Sequence, residues 1–150
     1  YTVALSDLPY TVTTQEIVEG SNQGFPFKVK AASLTHSAKC FGYRFEFQSQ
    51  VVTYCTDTGL CSNLIDLARN ADLLITECAL RPGQASPKWP HLNPGDAAGA
   101  AVDSGADQLV LVHFDAENYA NKNDRIPAEQ VAQDIHPKSL ASSDLFCKEI

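Results

Sequence analysis

Three polar side chains, Asp57, Glu77 and His113, each follow a short apolar run. A fourth, His91, stands two residues ahead of the helix-start signal Asn93-Pro94. Asp and His are good ligands for a borderline divalent ion such as zinc. In layered α/β sheets, sites gather just outside the carboxyl ends of the strands, which is where these residues are expected to lie. Each also has a plain structural alternative. Asp57, in Thr56-Asp57-Thr58-Gly59, could cap a turn. Glu77 could be a surface carboxylate, His91 a solvated loop residue and His113 a hydrogen-bonded core histidine. Spacing alone does not choose between these alternatives.

The elements that would position the four residues are readable from periodicity. Val51–Cys55 is a short apolar strand ending at Asp57. Leu60, Leu64, Leu67 and Ala68 recur at helical spacing, which predicts a helix over roughly 60–70. Ala71–Ile75 is a buried strand ending near Glu77, and Pro82, Gly83, Pro87 and Pro90 mark a loop. A second helix starts with Asn93 as N-cap, Pro94 in the first turn and Asp96 beside it, and it stops at Gly105. Leu109–Val112 is a fully apolar run, as in a strand covered on both faces. A third helix is predicted from about Pro127 through Val131 to Ile135, and a final strand within Ser142–Ile150. Upstream, Phe27, Val29 and Ala31 alternate with lysines, and Tyr43, Phe45 and Phe47 alternate with Arg44 and Glu46, so both segments are half-buried strands. Gly20-Ser21-Asn22-Gln23-Gly24 is predicted to be a turn. The order, strands first and then β-α-β-loop-α-β-α, specifies an α/β fold with helices layered on a sheet.

With 150 residues the chain is long enough for one cored domain, taken as 1–150. Its 44% hydrophobic and 19% charged residues fit an ordinary globular protein, and no apolar run is long enough to span a bilayer. Net charge is −7, and the eleven Lys and Arg form no run, which argues against a nucleic-acid surface as the main function. Five cysteines, an odd number with no Cys-x-x-Cys, predict reduced thiols and a cytoplasmic protein. Cys55 and Cys61 flank Asp57 but are read as small buried apolar residues. Tyr1–Asp7 lacks the pattern of a secretory leader. Since the chain contains no Met, its N-terminus is expected to be processed or internal to a longer chain.

Taken in order, the motifs are His36-Ser37-Ala38-Lys39-Cys40-Phe41-Gly42-Tyr43-Arg44, Asp57-Thr58-Gly59, Ala71-Asp72-Leu73-Leu74-Ile75-Thr76-Glu77, His91-Leu92-Asn93-Pro94-Gly95-Asp96-Ala97-Ala98 and Leu109-Val110-Leu111-Val112-His113-Phe114. Together they resemble the second half of metallo-β-lactamase-fold hydrolases, on the ribonuclease Z-like side of that superfamily. The fold this implies is part of an αβ/βα sandwich. By the resemblance, Asp57 is the carboxylate that bridges two metal ions, with Thr56 in place of the usual preceding Gly, and His113 is the last histidine ligand. His91 is the histidine that protonates the leaving oxygen, Glu77 orients it, and His36 lines the site. The implied chemistry is two-metal hydrolysis with zinc, or with manganese or iron in its place.

The family's His-x-His-x-Asp-His motif, which belongs to its first half, is not in this sequence, whose histidines are His36, His91, His113 and His136. Asp57 and His113 alone are fewer ligands than zinc takes. The family's Pro-x-Lys-x-Arg-Asn stretch is missing between Phe47 and the next strand, and Asp115-Ala116-Glu117 replaces Ser-Arg-Tyr after the last histidine. A small phosphodiester or other ester is therefore the expected substrate, in preference to nucleic acid. The alternative is an inactive half-domain that acts as a binding or dimerising module, because a sheet face normally covered by the first half favours homodimerisation.

Overall fold

The computed structural model describes residues 4, 7–9 and 11–149. Among them, seven strands form one sheet in sequential order: β1 (Gly20–Asn22), β2 (Lys28–Ser33), β3 (Phe41–Phe47), β4 (Gln50–Cys55), β5 (Leu73–Glu77), β6 (Leu109–Val112) and β7 (Ser139–Ala141). The first four pair antiparallel, with Val29 opposite Phe45 and Tyr43 opposite Tyr54. From β4 onward the pairing is parallel, with Val52 beside Leu73 and Ile75 beside Val110. Each parallel step needs a crossover, supplied by α1 (Ser62–Ala68), α2 (Pro94–Ser104) and α3 (Ile126–Ile135), the last entered through a 3-10 turn at Lys122–Arg125. Right-handed crossovers that all advance the same way put their helices on one face. Accordingly, α1 packs on α2 and α2 on α3. This is the layered α/β arrangement expected from the sequence.

The core lies between the sheet and this helix layer. Leu64, Leu67, Leu74, Leu92, Leu109 and Leu111 are fully buried there, each contributing about 1.5–3 kcal/mol by removal from water. Alanines at 97, 98, 100 and 101 let α2 approach closely. The end of α1 is held from outside the helix. It has no basic residue in its last turn, but Arg44 on β3 donates from Nη1 to the Leu67 and Arg69 carbonyl oxygens, each at 2.8 Å. A cation at a helix C-terminus satisfies orphan carbonyls and complements the dipole. The α2 start is the expected cap: Asn93 Oδ1 accepts the Asp96 N–H at 3.0 Å, and Gly105 ends the helix at φ +70°.

Side chains alternating with the core set face the other way, and there Phe27, Tyr43, Phe45 and Phe47 form a continuous aromatic row. No helix of the described residues is long and apolar enough to cross a membrane.

Two local expectations are corrected. Gly20–Asn22, predicted to be a turn, is edge strand β1, and the chain bends at 24–27 instead. Asn22 is satisfied locally, donating from Nδ2 to the Val18 and Gly20 carbonyls, so a polar residue is tolerated at a buried position of this edge strand. The last strand is Ser139–Ala141 and not within 142–150; of that span, 142–149 are described and carry no strand, because β6 is matched by Ser139–Ala141 as soon as α3 returns.

The tightest approach is at Gly42, where an added Cβ would come within 2.8 Å of both Cys55 Sγ and Leu67 Cδ1. Gly42→Ala is expected to destabilise the fold by about 1–3 kcal/mol through overpacking. Urea unfolding measures this, and an unchanged midpoint would show that β3 and α1 are not packed as described.

Candidate active site

Strands β4, β5 and β6 are adjacent and parallel, so their carboxyl ends open on the same edge of the sheet. Asp57 lies two residues past β4, Glu77 is the last residue of β5, and His113 follows β6 directly. His91 enters from the loop that precedes α2. The four residues singled out in the sequence are thus delivered to one place by the topology itself.

Glu77 is completely buried. Its carboxylate faces His91 Nδ1 at 2.7 and 2.8 Å, and it accepts the backbone N–H of Leu92 at 3.2 Å and that of Thr58. A carboxylate only accepts here, so the ring proton of His91 sits on Nδ1 and its Nε2 is left for other chemistry. The His91 side chain is itself only 2% exposed. Three rings surround it: Trp89 with centroids 4.0 Å apart, His36 edge-on at 5.3 Å, and His113 stacked at 5.8 Å with 11° between planes.

The outer half of the site is more open. His113 Nε2 lies 3.0 Å from Asp57 Oδ1, with the two side chains 44% and 33% exposed. Thr56 Oγ1 donates to the same Asp57 oxygen at 2.6 Å. His113 holds φ +50°, a left-handed backbone uncommon outside glycine and often found at functional positions. The conformation turns the chain sharply as it leaves β6 and aims the ring across β5 toward Asp57. His36 has a buried Nδ1 with no hydrogen-bond partner among the described residues. Cys40 donates to the Thr56 carbonyl at 3.6 Å; burial pushes its thiol up, and the charges of Asp57 and Glu77 push the same way, so it is not a ready thiolate.

Ligand atoms of Glu77, His91 and His113 lie within 4.8 Å of one another, a spacing that suits a metal ion. The Glu77 carboxylate already takes the His91 ring and two backbone N–H groups. The Asp57 carboxylate and His113 Nε2, which face each other at 3.0 Å in the more exposed half, are an oxygen and an imidazole nitrogen that suit a borderline divalent ion. His136 takes no part: it is buried elsewhere, with its ring nitrogens 3.0 Å from the Ala106 carbonyl and 3.3 Å from Ser139 Oγ. A cavity of about 590 Å³ is lined by residues around Phe25, Lys28 and Arg44, away from this cluster. Sequence reasoning did not single out Trp89, although its place two residues before His91 was the available signal, nor the Thr58 and Leu92 amides, which have no side-chain signature.

A sheet with helices on one face gathers carboxylate and imidazole groups at the ends of its parallel strands, an α/β layout with a candidate site at the strand ends. Residues 2–114 match the model of the beta-lactamase superfamily domain, and the chain belongs to that family of metallo-β-lactamase-fold proteins. The fold implies a divalent metal. It is 36% identical over 103 residues to ribonuclease Z of Synechococcus sp. (strain CC9605), covering 66% of this chain and 32% of the relative. To the probable metallo-hydrolase YhfI of Bacillus subtilis it is 31% identical over 89 residues, 59% of this chain and 36% of the relative. The solved structure of YhfI superposes with a TM-score of 0.71 at 24% identity, over 81% of this chain and 48% of that one. Human short-form tRNase Z superposes with a TM-score of 0.56 at 28% identity, over 65% and 40%. The chain spans about a third of the length of the curated relatives it matches.

Glu77→Gln keeps the shape but turns one acceptor into an NH₂ donor facing other N–H groups. The expected loss is about 1–3 kcal/mol of stability, as for any buried hydrogen-bonding group left without its partner. Denaturant unfolding measures it; a loss below about 0.5 kcal/mol would mean the Glu77 network is not formed.

Proposed function

We propose that residues 1–150 are a single domain corresponding to the C-terminal half of a metal-dependent hydrolase acting on a phosphodiester. Asp57 and His113 are its metal ligands, His91 its general acid, Glu77 the residue that orients His91, and His36 part of the site lining. The observation that carries this reading is the joined set Glu77–His91 and His113–Asp57 at the ends of three parallel strands.

The roles follow from the hydrogen bonds. With Nδ1–H held by Glu77, the ring of His91 cannot turn, and a proton carried on Nε2 is presented in a fixed direction. Near-complete burial keeps water from competing for that proton. Asp57 and His113, more exposed, face the side from which substrate and ion arrive. Divalent ions bound there, zinc first and manganese or iron as substitutes, would acidify water and offset charge on the phosphoryl oxygens. Two protein ligands are fewer than zinc takes, so the remaining donors belong to a segment or partner carrying the missing His-x-His-x-Asp-His. Relatives named ribonuclease Z favour a phosphodiester over other esters, and they bring RNA back within range despite the charge of −7. A second reading, an inactive half-domain that binds or dimerises, is favoured by the aromatic row, where Phe47 is 36% exposed, and by Tyr54, opposite Tyr43 on the next strand and 41% exposed.

Zinc titration at equilibrium, followed by calorimetry, tests the first reading. The chain should bind zinc weakly, as an incomplete ligand set does, and Asp57→Ala or His113→Ala should weaken that binding by at least about tenfold, the loss that even an outer-shell partner brings. Zinc binding unchanged in both variants, or no zinc binding up to millimolar concentrations, rejects these ligands in favour of the binding module.

A further inference from the structure

We propose that Trp89 is the floor of a subsite for a planar aromatic group, a nucleobase or an aryl ring, carried on the leaving-oxygen side of the scissile phosphodiester. The inference rests on the phosphodiesterase reading above and names the group next to the bond that is cut.

Trp89 is the one tryptophan of the chain, and it is 40% exposed. A single exposed aromatic needs no explanation by itself; its neighbours give this one meaning. The indole packs against the His91 ring with centroids 4.0 Å apart and 56° between planes, and the residue keeps 40% of its surface exposed. The 4.0 Å contact between the two rings puts this indole within reach of a group carried on an oxygen that His91 protonates. Base–aromatic stacking is strong and tolerant of which base is present, and burying an open indole face adds to it.

The backbone that carries the indole is held in place. The Trp89 backbone N–H donates to the Ser86 carbonyl at 3.2 Å. Pro90 packs on Gly59 so closely that a Cβ there would lie 3.0 Å from the Pro90 Cβ. Gly59 N–H in turn donates to the Thr35 carbonyl at 2.8 Å, next to His36. At the far end, Arg81 N–H donates to Gln84 Oε1 and Asn93 Nδ2 to the Gln84 carbonyl, each at 2.8 Å. A loop already fixed in this way loses little backbone freedom on binding. The loop is also the right sign for a phosphate ester. Residues 81–92 carry Arg81 and Lys88 and no carboxylate, in a chain of net charge −7.

Because Trp89 is the sole indole, its fluorescence reports the subsite directly. The zinc-incubated chain is titrated with AMP, phenyl phosphate and ribose 5-phosphate, with affinities taken by calorimetry. AMP, phenyl phosphate or both should quench the emission saturably and bind at least about tenfold more tightly than ribose 5-phosphate, within the range that loss of a stack produces. The tighter of the two identifies the natural group as base or aryl. Trp89→Leu should reduce that ligand to the affinity of ribose 5-phosphate, and Trp89→Phe should keep most of the difference. Equal binding of all three compounds, binding of none, or a preference that survives Trp89→Leu overturns the inference. Weakening of ribose 5-phosphate by His113→Ala reports on the phosphodiesterase reading alone, so the two can fail separately.

Discussion

A carboxylate with no solvent exposure has to find donors for its oxygens within the protein, because an unpaired buried charge is among the most costly features a fold can carry. Glu77 finds them in two segments far apart in sequence: the Thr58 amide after β4, and the His91 ring and Leu92 amide before α2. Neither segment can move without stranding one of these partners. The end of β5 thereby fixes both loops that shape the site. It also fixes where α2 begins, since the Asn93 cap is two residues beyond His91.

The site that results has two characters. Its inner half, Glu77 and His91, is dry, and every polar atom involved in the contact has one direction to point. Its outer half, Asp57 and His113, is more exposed and is held by the His113–Asp57 and Thr56–Asp57 contacts plus the left-handed turn after β6. That division suits a reaction in which proton delivery must be exact while the charged substrate and any ion enter from solvent. The aromatic stack running from Trp89 through His91 to His113 joins the two halves.

Much of the frame was legible because it rests on local signals. Leu109–Val112, the Asn93-Pro94 start, the Gly105 stop and the alternation of Tyr43, Phe45 and Phe47 all describe single elements, and each is where the pattern put it. Boundaries were looser, since Ala71–Ile75 became Leu73–Glu77 and the helix over 60–70 shortened to Ser62–Ala68. At the site, Asp57, Glu77, His91 and His113 could be selected because each stood at the end of an element. What could not be read was which residue partnered which. The Arg44 cap on α1 comes from a strand more than twenty residues away, the Glu77 amide donors have no side-chain identity, and the left-handed backbone of His113 runs against its residue type. These depend on how elements pack and not on any one of them.

The most direct measurement is the tautomer of His91, read from long-range proton–nitrogen correlations of the ¹⁵N-histidine-labelled chain in mildly alkaline buffer, where a free imidazole is neutral. The structure predicts a single tautomer with the proton on Nδ1, lost in Glu77→Gln. A proton on Nε2, or the rapidly exchanging mixture of a solvated histidine, would contradict the buried Glu77–His91 contact on which the site is built.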